Sequence, residues 1–245
     1  SFDYGLSQLT TAFSRGASVV LIDYLLPRDV IKAVEKYRIT GLAAIPPLWN
    51  QLAELEWPPA ARQSLRYLTN SGGVMPLATT QRLRDSLPNT EIYLMYGLTE
   101  AFRSTYLPPS ELAARPDSIG KAIPNAEIMV VREDGTECAA NEPGELVHRG
   151  TLVTLGYWND PEKTAERFRP SPVQPPDEPA RRIGRIIAGL FVAGSTIMNA
   201  PLSNGSRDGP SPATPKTRRR SSKAMISEQP TSTAPVRNAR AFSIA

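Results

Sequence analysis

An α/β fold, with a parallel sheet covered by helices and followed by the start of an antiparallel β subdomain, is what three observations predict. Three strand–helix units and a fourth strand fit before residue 100, at the spacing of a parallel sheet. Beyond Ser104 the pattern changes to alternating runs joined by turn residues. Beyond Pro170 aromatic residues almost vanish while proline and arginine accumulate. The expected organisation is an α/β portion over 1–118, a β-rich subdomain over 119–170 and a disordered basic tail over 171–245.

The elements follow in order. Ala17 to Ile22 is a short β-branched run, hence a strand. Pro27 to Tyr37 carries apolar residues at 30, 31, 34 and 37 beside Arg28, Lys32, Glu35 and Lys36, an amphipathic helix with proline at its start. Thr40 to Ile45 is a strand before a helix over Pro46 to Leu55, and Leu65 to Asn70 a strand before a helix over Pro76 to Leu87. Glu91 to Tyr96 is the next strand. Ala126 to Arg132 alternates into the hairpin-type turn Glu133-Asp134-Gly135-Thr136, and Gly144 to Arg149 alternates again. Asp160-Pro161-Glu162 is a helix start.

Charge and composition narrow the function classes. Of 28 Lys and Arg and 24 Asp and Glu, residues 1–169 hold 17 and 20, so the net +4 belongs to the last 76 residues. That tail has no Tyr or Trp and only Phe191 and Phe242 as aromatics, too little apolar surface to offset chain entropy. Its apolar run Ile186 to Ala193 is far short of the ~20 residues of a membrane span, so no membrane span is expected. With one cysteine (Cys138) and one histidine (His148), no disulfide framework, zinc cluster, Cys-His pair or Ser-His-Asp triad is expected within the chain. Both read as structural residues, and a reducing cytoplasm suits the chain. The chain opens on Ser1, directly ahead of a hydrophobic segment, which reads as an N-terminal truncation.

Parallel sheets bind ligands outside the carboxyl ends of their strands. Two loops lie at such ends here, Ser71-Gly72-Gly73-Val74-Met75-Pro76 and Tyr96-Gly97-Leu98-Thr99-Glu100. An aromatic face can stack on a purine, glycine admits close backbone approach, and Thr and Glu offer oxygens to phosphate and Mg²⁺. Taken singly, each has a plain alternative: glycines in a tight βα turn, a half-buried strand-end tyrosine, a solvated carboxylate.

Taken together, the blocks are more specific. Ser-Gly-Gly-x-x-Pro-Leu, Tyr-Gly-x-Thr-Glu, Ser118-Ile119-Gly120-Lys121-x-Ile-Pro124 and Gly-Glu-Leu-x-x-Arg-Gly at 144–150 are followed by Gly156-Tyr157, Asp160-Pro161, Thr164 and Phe168. In this order they resemble the AMP-forming adenylate synthetases, the superfamily of acyl-CoA synthetases, luciferases and nonribosomal-peptide adenylation domains. The resemblance covers Phe2 to about Pro170. The wording around 94–109 and from Asp117 to Pro170 is similar to acyl-CoA ligases associated with exosortase systems.

The resemblance implies an adenine slot formed by Gly73, Val74 and Met75 on one side and by Met95, Tyr96 and Gly97 on the other. It implies that Thr99 contacts the α-phosphate or acyl carboxylate, and that Glu100 ligates Mg²⁺. Thr99 and Glu100 are then the candidate catalytic pair. Implied cofactors are ATP/AMP, Mg²⁺ and CoA; implied partners are a carboxylic acid and CoA or an acyl-carrier thiol. The carboxylate attacks the α-phosphorus of ATP to give acyl-adenylate and pyrophosphate, and the thiol then takes the acyl group. Alignment and charge neutralisation supply the catalysis.

Departures from the pattern bear on activity. A Ser/Thr/Gly-rich phosphate loop ending Pro-Lys-Gly, a ribose-binding Thr-Gly-Asp block after Phe168 and a catalytic Lys in a folded context are not found in the sequence. The expectation is an inactive fragment of an acyl-CoA ligase whose tail reads like out-of-frame translation, with Lys216 and Lys223 no substitutes for the missing lysine. A rival from another class is a non-catalytic module whose Arg218-Arg219-Arg220 and Lys223 bind nucleic acid or an anionic surface. Without aromatics among those basic residues a solvated charge run is preferred, and no nucleic acid is expected as partner.

Overall fold

The helix over Pro27–Tyr37 shows how local chemistry sets the elements. Proline at its first position costs no hydrogen bond, the Asp29 carboxylate accepts from the Leu26 amide at 3.1 Å, and Arg38 closes the helix in the left-handed conformation with φ 51°. Its apolar stripe, Val30, Ile31 and Val34, is buried. In the computed structural model, which describes residues 3–23, 25–169, 183–184 and 240–243, this helix is the second.

The elements run α1 (Asp3–Ser14), β1 (Ser18–Val20), α2 (Pro27–Tyr37), β2 (Gly41–Ala44), α3 (Pro46–Leu52), α4 (Pro59–Ser64) and β3 (Tyr67–Asn70). Next come α5 (Leu77–Ser86), β4 (Glu91–Tyr96), β5 (Thr105–Leu107), β6 (Lys121–Ala122), β7 (Ala126–Val131) and β8 (Glu145–Gly150). The described chain closes with α6 (Pro161–Arg167), β9 (Phe168–Arg169), β10 (Ile183–Gly184) and β11 (Arg240–Ser243).

The first sheet has the order β1-β11-β2-β3-β4-β5-β6, parallel from β1 to β4 and antiparallel beyond. β3 and β4 pair from Tyr67↔Glu91 to Asn70↔Leu94, so both run out at the same edge of the sheet. That register places the loops after Asn70 and Tyr96 side by side. The second sheet, β7-β8-β10-β9, is antiparallel, and β7 and β8 pair along their whole length from Ala126↔Gly150 to Val131↔Glu145.

The main core lies between the parallel strands and helices α2 to α5. Trp49 and Trp57 are fully buried with Leu42, Leu52, Leu68 and Leu83. The Trp49 indole N–H donates to the Ala44 carbonyl at 3.0 Å, anchoring α3 to the end of β2. Truncating either tryptophan to alanine would cost ~3–5 kcal/mol through lost burial and the cavity left behind. Smaller clusters around Val131–Val147 and around Leu146 hold the second sheet.

Several features depart from the sequence-based expectation. α1 is a full helix where no element was expected; its Ser7, Thr10 and Ser14 hydroxyls donate back to carbonyls of the same helix, at 2.8–3.3 Å. α4 is a further short helix. β5 and β6 return to the first sheet, so the second begins at Ala126 rather than near Ile119. Most of 171–245, expected as a disordered tail, lies outside the described residues, as do Arg218, Arg219, Arg220, Lys216 and Lys223. The two stretches of it that are described, β10 and β11, are strands, with β11 lying parallel between β1 and β2.

Candidate functional site

The end of β4 turns back sharply because residue 97 is glycine. A Cβ there would lie 2.6 Å from the Arg103 amide nitrogen and 2.8 Å from its Cα, so the returning chain passes in space no side chain could share. The Ser104 amide donates to the Tyr96 carbonyl at 2.8 Å and closes the loop at its base. Arg103 adopts φ 63°, a left-handed conformation that costs a residue with a Cβ ~1 kcal/mol. On the neighbouring strand, Asn70 is buried and its side-chain amide donates to the Gly73 carbonyl at 3.0 Å, with Gly72 at φ 79° making the turn.

Between these loops lies a cleft of about 280 Å³, bordered by Ser71 and Gly72 from one and Gly97, Leu98, Thr99 and Glu100 from the other. Asp3 and Tyr4 of α1, with Phe102 and Arg103, complete its wall. The volume falls just below the ~300–1,000 Å³ usual for small-molecule sites.

Of the residues singled out in the sequence, Gly97, Thr99 and Glu100 line this cleft, with Thr99 exposed to solvent. Gly73 and Val74 are exposed on the adjoining loop, whereas Met75 is buried in the main core; none of the three borders the cleft. Met95 lies on β4, where its sulfur receives a contact from the Arg103 guanidinium. The Tyr96 ring packs against Leu146, and its hydroxyl is buried without a hydrogen-bond partner among the described residues. Burial raises the Tyr96 pKa, and the Glu100 charge adds to that.

Glu100 is held from the second half of the described chain. Its Oε1 accepts from the Tyr157 hydroxyl at 2.6 Å, and its carbonyl accepts from the Thr154 amide at 2.8 Å. The hydrogen bond to the carboxylate raises the Tyr157 pKa and keeps that hydroxyl a donor. Tyr157 is itself positioned: its amide donates to Thr164 Oγ1 at 2.9 Å, and its ring meets Phe168 edge-on at 5.6 Å. Fifty-seven residues separate Tyr157 from Glu100, so no spacing rule pairs them. Gly156, Tyr157, Thr164 and Phe168 were visible as a motif, and the structure shows their joint task as support for Glu100.

Arg103 and Tyr4 carried no signal in the sequence. The Tyr4 hydroxyl is 2.5 Å from Thr69 Oγ1, and burial pushes its pKa up to about 12. Among the described residues no group of three or more His, Cys, Asp or Glu side chains is placed to hold a metal ion. Mg²⁺ asks for less, since it commonly takes one or two carboxylates with the rest of its shell from phosphate and water. Glu100 fits as one such ligand: it lines the cleft and hydrogen-bonds Tyr157 through Oε1.

His148, on β8, is 1% exposed and its Nδ1 lies 2.8 Å from Ser104 Oγ. The serine hydroxyl also lies 3.3 Å from the Ala101 carbonyl, and the imidazole Nε2 has no partner among the described residues. Burial lowers its pKa to about 4. This pair is a structural joint, closed to substrate.

A parallel sheet with two glycine-bearing loops meeting at adjacent strand carboxyl ends, one ending in a supported carboxylate, defines the class as an α/β protein with a candidate ligand site in the usual crevice. The model of the AMP-binding enzyme family matches residues 1–158, and the chain belongs to that family. It is similar to the acyl-CoA ligase sidI of Aspergillus fumigatus, 33% identical over 57% of this chain and 24% of that protein. It is also similar to the indoleacetate–CoA ligase of Aromatoleum aromaticum, 31% identical over 65% of this chain and 31% of the other. Among solved structures, O-succinylbenzoate Coenzyme A synthetase from Bacillus subtilis, in complex with AMP, matches 67% of this chain and 34% of its own at 26% identity and TM-score 0.60. The chain thus spans about a quarter to a third of these relatives' length. No helix among the described residues is long and apolar enough to cross a membrane.

Proposed function

We propose that this chain forms part of an acid–thiol ligase site that binds the adenylate of a carboxylic acid, activated with ATP and then passed to CoA or a carrier thiol. The observation that carries this reading is the meeting of Ser71–Gly72 and Gly97–Glu100 in one cleft, within a chain of the AMP-binding family. Thr99 would donate to the α-phosphate or the acid's carboxylate, and Glu100 would hold Mg²⁺. When bound, the ion would offset negative charge on the phosphates.

The protein's own contribution is orientation. Tyr157 keeps one oxygen of Glu100 occupied and its carboxylate aimed, while Gly97 holds the loop close to Arg103. Gly73, Val74 and Met75 through their backbone, and Met95 and Tyr96 from the next strand, are proposed for the adenine side, which lies beside the cleft rather than within its lining. A reducing cytoplasm remains the proposed compartment, and the exosortase-associated ligases the proposed subgroup.

Calorimetry with AMP in the presence and absence of Mg²⁺ tests the proposal. Glu100→Gln is expected to weaken Mg²⁺-dependent binding about tenfold, equivalent to ~1.4 kcal/mol, and to leave Mg²⁺-free binding unchanged. Equal Mg²⁺ dependence in both proteins would overturn the role of Glu100, and absence of nucleotide binding would overturn the reading as a whole.

A further inference from the structure

Arg103 is a cation in an unusual setting. Its guanidinium lies 5.4 Å from the centre of the Tyr4 ring and 5.2 Å from that of Phe102, donates through NH2 to Ser7 Oγ at 3.1 Å, and contacts the Met95 sulfur through NH1. All four neighbours are neutral. The group is half-buried, and burial lowers its pKa, with the Tyr4 hydroxyl and the Asp3 charge opposing that shift. Asp3 lines the same cleft, yet no ion pair within 4 Å joins Arg103 to any carboxylate among the described residues.

The backbone holds it there at a cost. Arg103 has φ 63° and passes against Gly97, where any side chain would collide. An outlier conformation over-determined by its surroundings is a mark of a positioned functional group. Rings on Tyr4 and Phe102 attract the cation weakly, and the contacts to Ser7 and Met95 use one N–H of each terminal nitrogen, so further N–H groups are left to pair with an anion. A desolvated cation that touches no carboxylate of its own gains most from one brought into contact by a ligand.

We propose that Arg103 binds a second carboxylate of the acid substrate, so that the cleft selects small dicarboxylic acids over monocarboxylic ones. The assignment rests on the ligase reading above. The reacting carboxylate sits toward Thr99 and Glu100, and the far one pairs with Arg103 at the wall formed by α1. A cleft of about 280 Å³ suits a short acid.

Glutarate and pentanoate, equal in chain length, are the probes, titrated calorimetrically into the full chain with AMP and Mg²⁺ present. Wild type is expected to bind glutarate at least tenfold more tightly, Arg103→Gln to bind both alike, and Arg103→Lys to fall between. Thermal unfolding of each variant separates recognition from folding: a purely structural Arg103 would lower the melting temperature and leave the glutarate-to-pentanoate ratio unchanged, which overturns the proposal. Equal wild-type affinity for the two acids also overturns it. Inorganic phosphate competing as strongly as glutarate would assign the anion to a phosphate and likewise overturn it. Loss of AMP binding with the glutarate preference intact would sink the adenylate reading alone and leave the Arg103 assignment standing.

Discussion

Lowering the pH from 7 to 5 should destabilise this protein through one imidazole. His148 shares a hydrogen bond with Ser104 through Nδ1, and its Nε2 has no partner among the described residues, so a second proton would place a charge in the interior with no counter-ion beside it. Its folded pKa is depressed to about 4, whereas in the unfolded chain it titrates near 6.5. Below that value the unfolded state binds the extra proton. The contribution is therefore complete above about pH 6.5 and is lost as pH falls toward 4. Between pH 7 and 5 the loss is ~2 kcal/mol, approaching ~3 kcal/mol at the lower limit. Urea unfolding at both pH values, for wild type and His148→Gln, isolates this term from the carboxylates. As the chain has a single histidine, its imidazole proton signal can be followed by NMR without assignment. A ring that titrates near 6.5 in the folded protein, or identical pH dependence in the variant, would refute the reasoning.

Gly97→Ala should destabilise by ~1–3 kcal/mol, because the added methyl meets the Arg103 backbone at 2.6 Å, and chemical denaturation reads this directly. Gly16→Ala, with φ 63° but open space around it, should cost only ~1 kcal/mol in the same assay. Tyr157→Phe removes the hydroxyl that holds Glu100; we expect stability within ~1 kcal/mol of wild type and AMP affinity in Mg²⁺ reduced several-fold by calorimetry. Trp49→Ala should lower stability by ~3–5 kcal/mol in urea, since the side chain is fully buried and its indole N–H is used.

The sequence was most legible where pattern and punctuation coincide. Pro27 and the stripe at 30, 31, 34 and 37 bounded α2 at Pro27–Tyr37, and the apolar run ending at Tyr96 bounded β4. α1 escaped because Ser7, Thr10, Thr11 and Ser14 are weak helix formers whose hydroxyls happen here to bond within the helix. β5 and β6 escaped for another reason: strands of three and two residues carry too little periodicity to be read. In the site, glycine and its neighbours marked both loops, since backbone constraints are local. Support for Glu100 from Tyr157, and the setting of Arg103 between Tyr4 and Phe102, depend on tertiary placement and left no trace in spacing.

The two sheets are stitched at the loop that carries Glu100. Thr154 donates its amide to the Glu100 carbonyl, Ala101 bridges Val153, and the His148 ring reaches Ser104. Such shared bonds make a cooperative opening unit. In hydrogen exchange, the amides of Ser104 and Thr154 should therefore lose protection at one common free energy, although they stand fifty positions apart in the sequence. An event that loosens the 150–157 segment would be felt at the Glu100 carboxylate, so order at that end of the cleft depends on the second sheet as well as on the core beneath it.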